Sequence, residues 1–282
     1  MTVFVGTAGF SYKDWRSTFY PADIEPRRML EEYSRYFPVV EINSTYYAIP
    51  PPERINAMAR RTPAHFQFTV KANREMTHEI SVDASVTKDF RLALRPLEDH
   101  GKLGCVLAQF PWGFKNTAEN RAYLELLARR LDGLDTVVEF RNSEWEEDRT
   151  FEMLSRLGLG YCCVDEPRLK GLVSSRVEVT GRIGYVRFHG RNYDTWWDQG
   201  RESWERYDYL YSEEELSEWL PKVEVMAESS DRTYIIFNNH YKGQAPTNAR
   251  TFERMLRGLI GDAVHSVDSG GDFPAGGDTL FD

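Results

Sequence analysis

Along this chain, short apolar runs alternate with longer stretches in which apolar residues recur every three or four positions, the signatures of strands and amphipathic helices. The runs predict eight strands, at residues 3–6, 39–43, 67–71, 103–109, 136–141, 160–165, 183–189 and 233–238. Helical spacing fills the gaps at 26–36, where Pro26 suits a first turn, and at 52–61, 84–100, 118–131, 150–157, 212–228 and 248–260. Regular strand–helix alternation calls for parallel strands joined by helical crossovers. One gap departs from the rule. Between Asp165 and Ile183 lie Pro167, two glycines and an alternating stretch at 173–179, which predict a loop or a small extra strand where a helix is due.

Strand parity is the more telling pattern, because successive side chains in a strand face opposite ways. Val40 and Ile42 oppose Glu41 and Asn43; Phe66, Phe68 and Val70 oppose Gln67, Thr69 and Lys71; Val138 and Phe140 oppose Glu139 and Arg141. Cys162 and Val164 oppose Asp165, Val186 and Phe188 oppose Arg187 and His189, Phe237 opposes Asn238 and His240, and the fourth strand ends in Gln109. An open sheet covered by helices would be apolar on both faces. A closed barrel accounts for one polar face, with inward residues near the C-terminal strand ends forming a ligand mouth. The expected fold is a single TIM-type (β/α)8 barrel over residues 1–264, irregular around its sixth unit. Residues 265–282 read as a flexible tail, because 268–278 collects glycine, proline and acid without apolar periodicity.

Composition narrows the function more than the fold. The 282 residues are 41% hydrophobic and 28% charged, and 35 Lys+Arg against 44 Asp+Glu give a net charge of −9. That balance disfavours a general grip on nucleic-acid phosphates or anionic lipid, while leaving room for a local basic pocket. The cysteines, Cys105, Cys162 and Cys163, sit in apolar runs, which speaks against a disulfide scaffold. The first residues run directly into a strand pattern without a basic leader, and no apolar stretch approaches the roughly 20 residues of a membrane span, so a cytoplasmic location is expected.

The polar ends of the strands supply the candidate chemistry. Glu41, Lys71, Glu139, Arg141, Asp165 and His189 are the candidate catalytic groups, carboxylates for proton transfer and cations for electrostatic stabilisation. Asn43, Gln109, Arg187, Gly190, Arg191, Asn238, His240, Lys242 and Gly243 are the candidate ligand-binding residues. In many barrels the loops after strands seven and eight hold phosphate with backbone N–H groups and a helix N-terminus. Gly190-Arg191 and the run from Asn238 to Gly243 would build such a site here. The competing reading, that three acids and three bases merely neutralise one another, is weakened by the cost of burying charge networks. Cations beside every candidate acid also argue against a metal, and no cofactor is implied. Between Tyr193 and Tyr211, the aromatic residues Trp196, Trp197, Trp204, Tyr207 and Tyr209 suggest a lid packed on the barrel rim.

Several strings carry a family resemblance: the run from Gly6 to Trp15, VEINSTYY from Val40, LAQFPWGF from Leu107, VEFRNSEW from Val138, YVRFHGR from Tyr185 and FNNHYKGQAPTNA from Phe237. In this order, over about residues 1–260, they resemble the YecE-like family, also called domain of unknown function 72. The resemblance implies a TIM-type barrel and no settled activity. The expected function is an enzyme, of the metal-independent hydrolase, lyase or isomerase kind, acting on a small phosphate- or carboxylate-bearing ligand at the mouth. A lysine Schiff base is a variant of it. The alternative is a non-catalytic binder or nucleic-acid-repair accessory protein. The terminal Leu280-Phe281 pair resembles the end of the peptide that docks on bacterial DNA sliding clamps, with Gly277 where a glutamine is expected.

Overall fold

A computed structural model describes residues 1–197, 205–267 and 273. Eight parallel strands form the barrel: β1 Val3–Ala8, β2 Val39–Ile42, β3 Gln67–Lys71, β4 Leu103–Gln109, β5 Thr136–Glu139, β6 Leu159–Asp165, β7 Ile183–Phe188 and β8 Arg232–Phe237. Each pairs with the next, β8 returns to β1, and β1 pairs with β2, so the sheet closes. Closure brings β1 and β2 very close. A Cβ on Gly6 would lie 2.1 Å from the Val39 carbonyl oxygen, so only glycine fits there. A two-residue strand, β9 Val264–His265, pairs with Val3 and Phe4 below the point where the β1–β2 register begins at Gly6.

Helices cover the outside, among them Pro52–Arg60, Ala84–Asp99, Ala118–Arg130, Asp148–Leu157 and Gln244–Ile260. The predicted helix at 212–228 is two pieces, Glu213–Ser217 and Leu220–Glu228, because Pro221 has no N–H to continue the first. Pro26 does open a helical turn, but Pro26–Arg28 is a 3-10 turn and the α-helix is only Met29–Tyr33. Residues 166–182 hold neither helix nor strand, so the extra strand foreseen at 173–179 does not form. No helix among the described residues is long and apolar enough to cross a membrane.

Apolar packing between barrel and helices fixes the strand ends. Phe188 stacks on Phe237 with centroids 4.5 Å apart and meets Trp219 and Phe252 from the outer helices. Phe140 stacks on the fully buried Trp145 at 4.3 Å. Truncating such a ring to alanine typically costs about 3–5 kcal/mol. Inside, Phe4, Tyr234 and Tyr185 fill the barrel beneath the mouth. Most of the tail lies outside the described residues, but Phe273 sits against Phe19, with ring centroids 4.7 Å apart, and against Tyr36.

Candidate functional site

Arg187, on β7, stands at the centre of the mouth. Its guanidinium reaches Glu41 Oε1 from β2 and Glu139 Oε2 from β5, each at 2.7 Å, and all three side chains are buried. Tyr185, one turn of the pleat below, donates from its hydroxyl to Glu41 Oε2 at 2.8 Å and lies 2.8 Å from Thr69 Oγ1. Both oxygens of Glu41 and of Glu139 are therefore engaged. Breaking one partner of such a buried pair costs about 3–5 kcal/mol, since an unpaired charge is left inside.

Above this layer, Arg141 links the next groups. Its Nε lies 2.6 Å from Glu139 Oε1 as an ion pair, without hydrogen-bond geometry, and its Nη1 donates to Glu166 Oε2 at 2.7 Å. His189 Nε2 is 3.1 Å from Glu139 Oε1 and 3.0 Å from Arg141 Nη2. The Asn238 amide nitrogen lies 3.0 Å from His189 Nδ1, and when it donates there the ring proton sits on Nε2, facing Glu139.

Burial and these charges sort the titrating groups. Burial alone would raise the Glu139 carboxyl, but Arg187 and Arg141 outweigh it and hold it well below the usual range. Burial and then Arg141 push His189 well below an ordinary histidine, so its ring is neutral. Glu166 goes the other way: burial, offset in part by Arg141 and reinforced by Glu139, lifts it to about 7. Its Oε1 is buried without a hydrogen-bond partner among the described residues. Lys71, at the end of β3, is pushed down to about 8 by burial and by Arg187. Its ammonium makes no hydrogen bond or ion pair among the described residues and rests 4.6 Å over the Tyr46 ring.

A cavity of about 270 Å3 opens on this cluster, lined by Gln109, Arg141, His78, Arg206 and the aromatic side chains of Trp112, Trp196, Trp197 and Tyr207 among others. Trp196 is buried and faces the guanidinium carbons of Arg141 at 6.0 Å and Arg206 at 5.7 Å. Trp112 and Trp197 form an exposed edge-on pair at the rim. Segment 193–211 thus contributes Trp196, Trp197 and Tyr207 to the cavity wall, whereas Trp204 lies outside the described residues. Burial, together with Lys71 and Arg141, lowers His78 to about 4.

Several sequence expectations are corrected. Asp165 does not face inward: its carboxylate accepts from Arg191, from the Tyr211 hydroxyl at 2.7 Å and from Trp219 Nε1 at 2.7 Å, on the helix side of the wall. The parity of β6 is the reverse of that expected, since the Cys162 thiol points to Glu139 Oε2 at 3.9 Å, and the inward series continues to Glu166. The anion cradle of strands seven and eight is also corrected. Gly190, at φ +91°, gives its N–H to the Tyr211 hydroxyl, and Arg191 is spent on Asp165 and Glu218. Lys242 is exposed, its backbone N–H bonded to Asp14. Gly243 is buried at the start of Gln244–Ile260, and His240 stacks on Tyr12 at 4.7 Å and meets the cavity-lining Tyr207 at 5.7 Å.

Gln109 lines the cavity and Asn238 orients His189, while Asn43 precedes the short helix Ser44–Tyr47 with its Oδ1 buried and unpartnered among the described residues. Glu166, Arg206 and Tyr46 were missed by reading the sequence. Glu166 was within reach, two positions beyond Val164 on a face that the reversed parity hid. Among the described residues no three His, Cys, Asp or Glu converge as metal ligands. The donor set explains this, because Glu41 and Glu139 already hold cations.

Fold and site together define a (β/α)8 barrel whose C-terminal mouth carries a charged, aromatic-walled cavity. A family model described as "Protein of unknown function DUF72" matches residues 4–266, and the chain belongs to that family. It is similar to UPF0759 protein YunF of Bacillus subtilis, 30% identical over 269 residues, which span 90% of this chain and 94% of YunF. Among solved structures, the DUF72 family protein TM1631 of Thermotoga maritima is 40% identical with a TM-score of 0.84, covering 91% of this chain and 100% of that one. The DUF72 family protein EF0366 of Enterococcus faecalis is 27% identical with a TM-score of 0.81, over 91% of this chain and 96% of that one.

Proposed function

We propose that this barrel binds a small phosphate- or carboxylate-bearing ligand at its mouth and acts on it by proton transfer and electrostatic stabilisation. The observation that carries the reading is the surplus of positive charge at the cavity. Arg141 and Arg206 line the cavity, and behind its wall Lys71 and Arg187 stand with Glu41, Glu139 and a Glu166 that is half-protonated near neutral pH. Arg187 is consumed by two carboxylates, whereas Lys71 has no carboxylate partner among the described residues. A cationic recess walled by indoles draws an anion in and dries the contact, which strengthens charge-assisted hydrogen bonds.

The roles divide by environment. Arg141 and Arg206 line the cavity and receive the anion. Glu166, lifted to about 7, is the group that can exchange a proton at neutral pH, a role the low-lying Glu139 fills poorly. Glu41 and Glu139 hold Arg187 and Arg141 in place. Crystals grown with phosphate or pyruvate test the reading. Anion density bonded to Arg141 and Arg206 supports it, and a cavity that stays free of anion at saturating concentration overturns it.

A further inference from the structure

Lys102 and Lys71 both have their basicity lowered by burial, and they are held differently. Lys102 is buried and satisfied, donating to the Ala59 and Thr62 carbonyl oxygens at 2.6 and 2.7 Å and to Thr62 Oγ1 at 3.0 Å. It is a structural cation that ties the end of Pro52–Arg60 to the start of β4. Lys71 is half-buried at the end of β3 and donates to nothing among the described residues.

Its position is nevertheless built with care. Thr45 Oγ1 donates to the Lys71 carbonyl oxygen at 2.6 Å. Asn73 Nδ2 donates in turn to the carbonyl oxygens of Thr45 at 2.9 Å and Tyr46 at 3.2 Å. These bonds tie the backbone at Tyr46 to the end of β3, and the Lys71 ammonium lies 4.6 Å from the centre of the Tyr46 ring. The Tyr46 ring also meets the His78 ring, edge to face with centroids 5.0 Å apart, and His78 lines the cavity. A flexible side chain is thus held on an aromatic face, one ring away from the cavity-lining His78, with Arg187 and Arg141 opposing its charge, Glu139 and Glu41 favouring it, and no direct ion pair among the described residues.

This is the environment of a nucleophilic amine, which is activated by desolvation and by adjacent cations. We propose that Lys71 forms an imine with a small anionic carbonyl compound, a 2-oxo acid or a sugar phosphate in its open form. The inference rests on the anion reading given above, since the ligand's carboxylate or phosphate would be held by Arg141 and Arg206 while its carbonyl meets Lys71. The ammonium first yields a proton to solvent, which reaches the half-buried side chain. The amine lone pair then forms the C–N bond, and the proton that the nitrogen sheds on bonding passes to the carbonyl oxygen, giving a neutral carbinolamine. A second proton on that hydroxyl lets it leave as water, and the C=N+ bond forms. No oxidant or reductant is consumed. The lowered basicity of Lys71, to about 8, leaves roughly a quarter of it as free amine at pH 7.5, against about a thousandth of an ordinary lysine.

Reductive trapping tests this. The full chain is incubated with cyanoborohydride and pyruvate, glyceraldehyde 3-phosphate or, as a neutral control, acetone, and the adduct is located by peptide mass mapping. Binding of pyruvate and phosphate without reductant is titrated in parallel. The expected result is one adduct on Lys71 with an anionic carbonyl, absent with acetone, absent in Lys71→Arg, and forming at a rate that rises with pH to a plateau above about 8. The two anionic probes distinguish a 2-oxo acid from a sugar phosphate. Adducts spread over the exposed lysines, or anion binding without an adduct, would overturn the imine and leave the anion reading intact. Neither binding nor adduct would overturn both. Mapping the unmodified chain's own adduct keeps the test valid even if Lys71→Arg folds poorly.

Discussion

Asp165 and Glu166 are consecutive, yet their carboxylates lie on opposite sides of the barrel wall. Asp165 accepts from Trp219 Nε1 and the Tyr211 hydroxyl among the helices, each at 2.7 Å, while Glu166 meets Arg141 Nη1 at the mouth, also at 2.7 Å. Asp165 therefore serves the fold, while the proposed function gives the chemistry to Glu166. Asp165→Ala should cost about 3–5 kcal/mol in denaturant unfolding, since Arg191 loses its most buried partner, and should leave anion affinity unchanged in whatever fraction folds. Glu166→Gln should change stability by less than about 1 kcal/mol, because a carboxyl lifted to about 7 is already half neutral. It should remove from ligand binding any pH dependence centred near that value.

Lys71 is the reverse case, a group that weakens the fold it sits in. Its folded pKa of about 8 lies below that of a free lysine, so its charged form destabilises the native state at pH 7. Stability from this group should rise as pH climbs from about 8 toward 10.5. Lys71→Met should raise the unfolding free energy at pH 7 by about 1–3 kcal/mol, discounted for its partial exposure. A loss of stability instead would mean that Lys71 has a favourable partner.

Acid sensitivity should begin well above the carboxylate range. His189 and His78 are both lowered, by burial first and by nearby cations next, and His78 titrates at about 4 against an unfolded value of 6.5. The unfolded chain binds more protons between those values, so stability falls as pH drops from 6.5 to about 4. Melting temperatures taken through that window should decline steadily. In His189→Gln the decline should be shallower, and an identical slope would remove His189 from the explanation.

Phe273 closes an aromatic cluster with Phe19 and Tyr36 on the outside of the barrel. Phe273→Ala should lower the unfolding free energy by about 1–2 kcal/mol, the worth of a partly buried ring. Because the cluster lies on the outer side of the barrel, binding at the mouth should be unaffected.

Much of this architecture was legible. Every strand of the barrel proper overlaps its predicted run, because parallel strands buried behind helices leave continuous apolar stretches, and the polar alternation in β2, β5 and β7 correctly marks Glu41, Glu139 and Arg187 as inward. The failure in β6 has a definite cause. Its inward residues below Glu166 are Cys162 and Val164, apolar enough to pass for outer packing, while the outward Asp165 is made tolerable only by Trp219, Tyr211 and Arg191, which arrive from distant parts of the chain. Arg191 likewise looked like a free cation until its partner carboxylates came into view. Tertiary pairing of this kind leaves no local pattern to read.

The most direct test of a cationic ligand mouth is a titration of pyruvate and of inorganic phosphate, followed by calorimetry, into the wild-type protein and four single variants. Each lost charge-assisted hydrogen bond is worth about 1.5–3 kcal/mol, or roughly ten- to a hundredfold in affinity. Lys71→Gln and Arg206→Gln should weaken binding of at least one of the two anions by that factor, whereas Arg191→Ala and Lys242→Ala, whose cations lie away from the cavity, should leave it within about twofold. Equal affinity across all four variants, or weakening confined to Arg191→Ala and Lys242→Ala, would contradict the account.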